Sequence, residues 1–131
     1  MTVRIVRLGS ERVPGEGLRI GTVRRPPRGV SKSEYAKRNF YDVWLPNLAP
    51  SEALLKAAQA SVAAGDERAW KAFVRRYRAE MKQPDQRALL DMLAALSRTA
   101  DFSVGCYCAD EARCHRSVLR ELLAERAASI G

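Results

Sequence analysis

The 131-residue sequence is most informative at first for what it lacks. It has no internal repeat, no low-complexity tract and no linker. No apolar run approaches the roughly 20 residues of a membrane span, so no membrane partner is expected. Met1 is not followed by a basic and then an apolar stretch, so no secretory signal is read. Cysteine is scarce, with three residues, all between positions 106 and 114. An odd number packed so closely is not a disulfide framework. Reduced thiols in a cytoplasm fit better.

What is present describes a single domain over 1–131. Hydrophobic residues make up 47% and charged residues 29%, a balance that excludes bulk disorder. The formal net charge is +8, and it is unevenly placed. Residues 1–40 carry ten Lys and Arg against three acidic residues, whereas 41–131 carry thirteen against twelve. The densest basic stretch is Arg24, Arg25, Arg28 and Lys32, followed by Lys37 and Arg38. It flanks Pro26, Pro27 and Gly29, a stiffened turn, and arginine offers a planar fork to oxyanions. An anion site for phosphate, carboxylate or a nucleic-acid backbone is one reading. A solvated basic surface is the other.

Local patterning predicts an α/β domain, a small three-layer unit with a partly parallel sheet flanked by helices. Val3 to Leu8 and Leu18 to Val23 read as strands, as do Phe40–Leu45 and Phe102–Cys108. Ser31 to Arg38 fits a helical turn or two. Ser51 opens a helix with Leu54, Leu55, Ala58 and Val62 on its apolar face, and Gly65 stops it. Asp66 caps a second, over 67–82, whose Trp70, Phe73, Val74, Tyr77 and Met81 form one apolar stripe. Leu89, Leu90, Leu93 and Leu96 mark a third, and Val118, Leu119, Leu122 and Leu123 a fourth. Trp70, Phe73, Val74 and Leu93 are expected to be buried. In an open α/β sheet ligands bind beyond the carboxyl ends of the strands. If the strands before 24–32 and 108–117 run the same way, those two loops meet.

Cys106-Tyr107-Cys108-Ala109-Asp110-Glu111-Ala112-Arg113-Cys114-His115-Arg116-Ser117 holds every cysteine and the only histidine. Zinc at Cys106, Cys108, Cys114 and His115 is one reading. The donor count is right, but adjacent Cys114 and His115 would have to bend onto one ion, so no metal or other cofactor is expected. Thiolate chemistry is another, with Cys108 or Cys114 as the reactive atom and His115 as acid or base. The phosphatase spacing of cysteine followed six positions later by arginine is absent. A third reading needs no covalent step: Arg116 and Ser117 open a helix whose N–H groups favour an anion, while Cys106 and Cys108 merely pack. A purely structural role for His115 also stays open.

The segments Arg24-x-x-Pro27-Arg28-Gly29-Val30-Ser31-Lys32, Trp44-Leu45, Leu48-Ala49-Pro50-Ser51, and Trp70 and Phe73 before Tyr77 resemble the YeaO-like branch of domain of unknown function 488. Cys108 with Cys114-His115-Arg116-Ser117 is similar to the signature of the wider family. The resemblance implies a small bacterial or archaeal cytosolic α/β protein and no particular activity. The chain departs from the branch pattern at Val23 and Pro26, and keeps cysteines that the branch often lacks.

Two expectations of different class result. In one, Arg24, Arg28, Lys32, Arg116 and Ser117 hold a small anionic ligand beside Cys108, Cys114 and His115 acting in catalysis. In the other, the basic first third contacts nucleic acid, although no helix-turn-helix or aromatic interleaving accompanies it. The sequence sets no oligomeric state.

Overall fold

A computed structural model describes residues 1–63 and 65–131, with the side chains of 60–63 outside the described set. Four strands form one sheet: β1 (Val3–Arg7), β2 (Leu18–Gly21), β3 (Val43–Trp44) and β4 (Phe102–Cys106). Their order is β1-β4-β2-β3 and every pairing is parallel. The sheet is therefore wholly parallel where the sequence suggested a partly parallel one. β4 lies between β1 and β2, and all five of its residues are buried. A strand covered on both faces reads as a continuous apolar or small-residue run, as Phe102-Ser103-Val104-Gly105-Cys106 does.

Four helices follow: α1 (Glu52–Ala63), α2 (Glu67–Glu80), α3 (Pro84–Leu96) and α4 (His115–Ala124). Ser51 caps α1, its hydroxyl accepting from Leu54 N at 3.2 Å and donating to the Glu80 carboxylate at 2.5 Å. Asp66 caps α2 by accepting from Arg68 N and Ala69 N. Both are the cap residues expected from sequence. Leu54, Phe73, Tyr77, Leu90, Leu93, Val118, Leu119, Leu122 and Leu123 gather in one core with Val3, Ile20, Phe102 and Val104 of the sheet. Phe73 and Leu93 are buried as expected, whereas Trp70 and Val74 are only half-buried. Val62, assigned to the same apolar face, lies outside the described side chains.

The connections β1–β2 and β2–β3 contain no α-helix. Residues 32–34 form a single 3-10 turn, and the third strand shrinks to Val43–Trp44. Asp42 still bonds across to the neighbouring strand, its amide donating to Arg19 O at 2.8 Å, but its side chain and that of Tyr41 are engaged elsewhere. The Asp42 carboxylate accepts from the Arg19 amide at 2.8 Å and from the Arg12 guanidinium at 2.9 Å. Tyr41 turns onto Gly21, where an added Cβ would stand 2.3 Å from its ring. Gly21 pairs in register with Gly105, where a Cβ would meet Val6 O at 2.7 Å. These two cross-strand glycines leave the groove that Tyr41 and Leu8 fill.

Beneath this loop layer, Arg19 is fully buried and forms a two-pronged pair with Glu16, at 2.8 and 2.9 Å. Its Nη1 donates to Ser10 O and Asn39 O. Ser103 donates to the same carboxylate at 3.2 Å. A buried charge needs such complete pairing.

Candidate functional site

β2 and β4 are adjacent and parallel, so the segments that follow them emerge at the same end of the sheet. Two bonds tie them together. Tyr107 donates its hydroxyl to Arg25 O at 2.9 Å, and His115 Nε2 lies 2.7 Å from Thr22 O. A carbonyl only accepts, so His115 carries its proton on Nε2 and leaves Nδ1 as a lone pair. Burial pushes the imidazole pKa down to about 4, so the ring is neutral.

The lone pair faces sulfur. Cys114 Sγ lies 3.8 Å from His115 Nδ1, and Cys106 Sγ lies 3.6 Å from Cys108 Sγ. The donor atoms of Cys106, Cys114 and His115 all fall within 4.8 Å of one another. The bend that adjacent Cys114 and His115 require comes from the backbone. Cys114 is extended, at φ −122° and ψ 150°, and His115 is the first residue of α4. The turn between them swings two consecutive side chains toward one point. Asp110 sets up this approach by capping a 3-10 turn over Glu111–Arg113, its carboxylate accepting from Ala112 N at 3.0 Å.

The thiols are not equivalent. Cys106 and Cys114 are buried, whereas Cys108 is exposed. Hydrogen bonding to Cys108 and burial push the Cys106 thiol up. Cys108 moves the other way, lowered by contact with the Cys106 and Cys114 thiols and by the positive charge of Arg116.

Cys108, Cys114 and His115 open onto a cleft of about 390 Å³. Pro50, Leu55, Trp70 and Phe73 give its lining an apolar and aromatic part. Trp70 stacks on Phe73 at 5.4 Å, Phe73 on Tyr77 at 6.0 Å, and Tyr77 meets His115 edge-on at 5.6 Å. The stripe that sequence reads as core thus runs as a ladder from the cleft rim to the buried imidazole. Tyr77 anchors it by donating to Leu48 O at 2.6 Å. Arg113 lies over the Trp70 ring at 5.5 Å and pairs with Glu67.

The residues nominated from sequence for an anion do not line this cleft. Arg24 donates to Pro50 O and Ala49 O, at 3.1 and 3.2 Å, and so fastens the entry to α1. Arg28 lines a separate depression with Pro26, Pro27, Phe40 and Tyr107. Lys32 lines another with Tyr35, Tyr41 and Trp44. Arg116 is buried and donates to Cys108 O at 2.6 Å, with its Nε lacking a partner among the described residues. Ser117 turns its hydroxyl back to Cys114 O at 2.9 Å. None of these five is among the residues lining the cleft beside Cys108. The cleft wall at Trp70 and Phe73, and the carbonyl of Thr22, are contributions that sequence reasoning did not assign to the site. The helical spacing of Trp70, Phe73 and Tyr77 was the visible signal for the wall. Nothing local marked Thr22.

Fold and site together define a small parallel α/β domain with a cysteine–histidine cluster at the carboxyl end of its central strand. The chain belongs to the DUF488 family. Residues 3–127 match its DUF488-N3a model, described as the active DUF488-N3 subclade. No curated protein and no solved structure matches it. No helix among the described residues is long and apolar enough to cross a membrane.

Proposed function

We propose that the protein is an enzyme whose reactive atom is the Cys108 sulfur and whose substrate is a small molecule held in the adjoining cleft. The observation that carries this reading is placement. Cys108 is the exposed one of the three cysteines, and it lines a cleft that Trp70 and Phe73, the outer rungs of the aromatic ladder, also line. Trp70 and Phe73 suit a flat apolar body, because stacked rings gain contact area at little entropic cost. Arg116 holds the Cys108 carbonyl and so fixes the segment after β4 that carries the sulfur. The neutral His115 offers its Nδ1 lone pair to the Cys114 thiol as a hydrogen-bond acceptor and adds no charge. The subclade's description as active agrees with a catalytic role. An anionic group on the substrate would lie near Arg113 and the start of α4, where helix N–H groups favour negative charge. Arg24 and Arg28 do not line the cleft, and Arg24 commits its guanidinium to the Ala49 and Pro50 carbonyls.

Alkylation by iodoacetamide, mapped by peptide mass, tests the reading. Cys108 is expected to react ahead of Cys106 and Cys114. Anilinonaphthalene sulfonate, a flat apolar anion, is expected to slow that reaction, and Trp70→Ala to remove the protection. Equal labelling of all three thiols, or none of Cys108, would sink the proposal.

A further inference from the structure

We infer that Cys106, Cys108, Cys114 and His115 Nδ1 form a tetrahedral site for a thiophilic divalent cation of the zinc class. The inference rests on the reading of this cluster as the chemical centre, and adds the group that organises it. A tetrahedral ion with metal–sulfur bonds of about 2.3 Å sets two sulfurs about 3.8 Å apart, and a sulfur and an imidazole nitrogen about 3.6 Å apart. The structure has 3.6 Å between Cys106 and Cys108, and 3.8 Å between Cys114 and His115 Nδ1. The three buried donors already lie within 4.8 Å of one another. Cys106, Cys114 and His115 thus form the buried part of the site, and Cys108 joins it through its 3.6 Å approach to Cys106.

The second observation is the bond behind the imidazole. A metal-bound histidine almost always donates its other N–H to a carbonyl or carboxylate, which orients the ring and raises its basicity. His115 Nε2 does this toward Thr22 O at 2.7 Å. The partner comes from the segment just after β2, remote in sequence from α4, so the ring is held from both sides. Without an ion, the same sulfurs would have only weak S–H hydrogen bonds to join them.

A bound cation would displace the thiol protons to water and keep Cys108 as a thiolate outright. It would also fix the sulfur that faces the cleft. Three donors are buried and the fourth is exposed, so Cys108 is the ligand that substrate can approach.

The experiment uses the intact chain, purified under reducing conditions. Elemental analysis is expected to find about one zinc per chain, the stoichiometry of a single four-donor site. Exchange with cobalt is expected to give the near-ultraviolet sulfur-to-cobalt charge-transfer bands and the visible bands of tetrahedral coordination. Cys108→Ala, at an exposed position, is expected to lose its metal to a chelator that the parent chain resists. Metal content near zero, with no such bands on cobalt addition, overturns the site. If Cys108 then still alkylates selectively, the thiolate enzyme stands without a metal. Tetrahedral thiolate bands together with an unreactive Cys108 would sustain the metal site and overturn the thiolate reading.

Discussion

The segments after β2 and β4 leave neighbouring strands at the same end of the sheet, yet they use their residues in opposite ways. The first carries the dense basic run, and the structure scatters it. Arg24 ties down backbone carbonyls, Arg25 pairs with Glu52, and Arg28 and Lys32 face different depressions. The second carries a few soft donors, and the structure gathers Cys114 and His115 with Cys106 within 4.8 Å. Charge density along a chain therefore says little about a site, because long flexible side chains find separate partners. Short side chains on a strand end and a helix start cannot spread in this way. Their position is set by the backbone.

This contrast can be tested from its foundation upward. The largest effect is expected at Arg19, which anchors the loop layer by bonding Ser10 O, Asn39 O and Glu16. Arg19→Met should cost ~3–5 kcal/mol in urea unfolding, because it leaves Glu16 buried and unpaired. A cost below about 1 kcal/mol would mean that the loop layer does not depend on this pair.

Next comes the aromatic ladder. Phe73→Ala should cost ~3–5 kcal/mol, since the ring is buried. Trp70→Ala should cost less, ~1–2 kcal/mol, because the indole is half-buried on the cleft rim. Equal costs would place Trp70 in the core and remove the cleft wall.

The same Arg19–Glu16 pair makes stability depend on pH. Burial pushes the Glu16 carboxyl up, but its bonds and charge contact with Arg19 outweigh this and hold it below its ordinary value. The native state thus binds the proton less readily than the unfolded chain. The stabilisation is complete above the ordinary glutamate pKa and is lost as pH falls through the lowered native one. Glu16→Gln should flatten this acid limb. An unchanged slope would assign the acid sensitivity to other carboxylates.

The smallest effects separate two arginines four positions apart. Arg24→Ala should cost ~1–2 kcal/mol, through its two bonds to carbonyls at the start of α1. Arg28→Ala, at an exposed position, should stay within ~0.5 kcal/mol. Equal values would erase the distinction drawn within the basic loop.

Much of the fold was legible in local pattern. Period-3.6 stripes such as Trp70–Phe73–Tyr77 and Val118–Leu119–Leu122–Leu123 mark helices whose apolar faces must find a core. Ser51 and Asp66 announce helix starts, because their oxygens satisfy backbone N–H groups that no turn of helix can reach. The third strand was overestimated. Phe40–Tyr41–Asp42 has strand-like composition, but Asp42 and Tyr41 are claimed by Arg12, Arg19 and Gly21 from distant positions.

The sequence by itself determined which donors exist and that they cluster between 106 and 115. Only the tertiary structure decided what they face. Convergence of Cys114 and His115 depends on an extended residue passing into a helix. The tautomer of His115 depends on a carbonyl 93 positions away in the chain. Whether Arg24 meets a ligand or a carbonyl depends on the path of residues 46–50. Local pattern carries the propensities of near neighbours. Register and crossover order bring remote backbone groups together, and those groups set which proton is held, which sulfur is exposed and which charge is already satisfied.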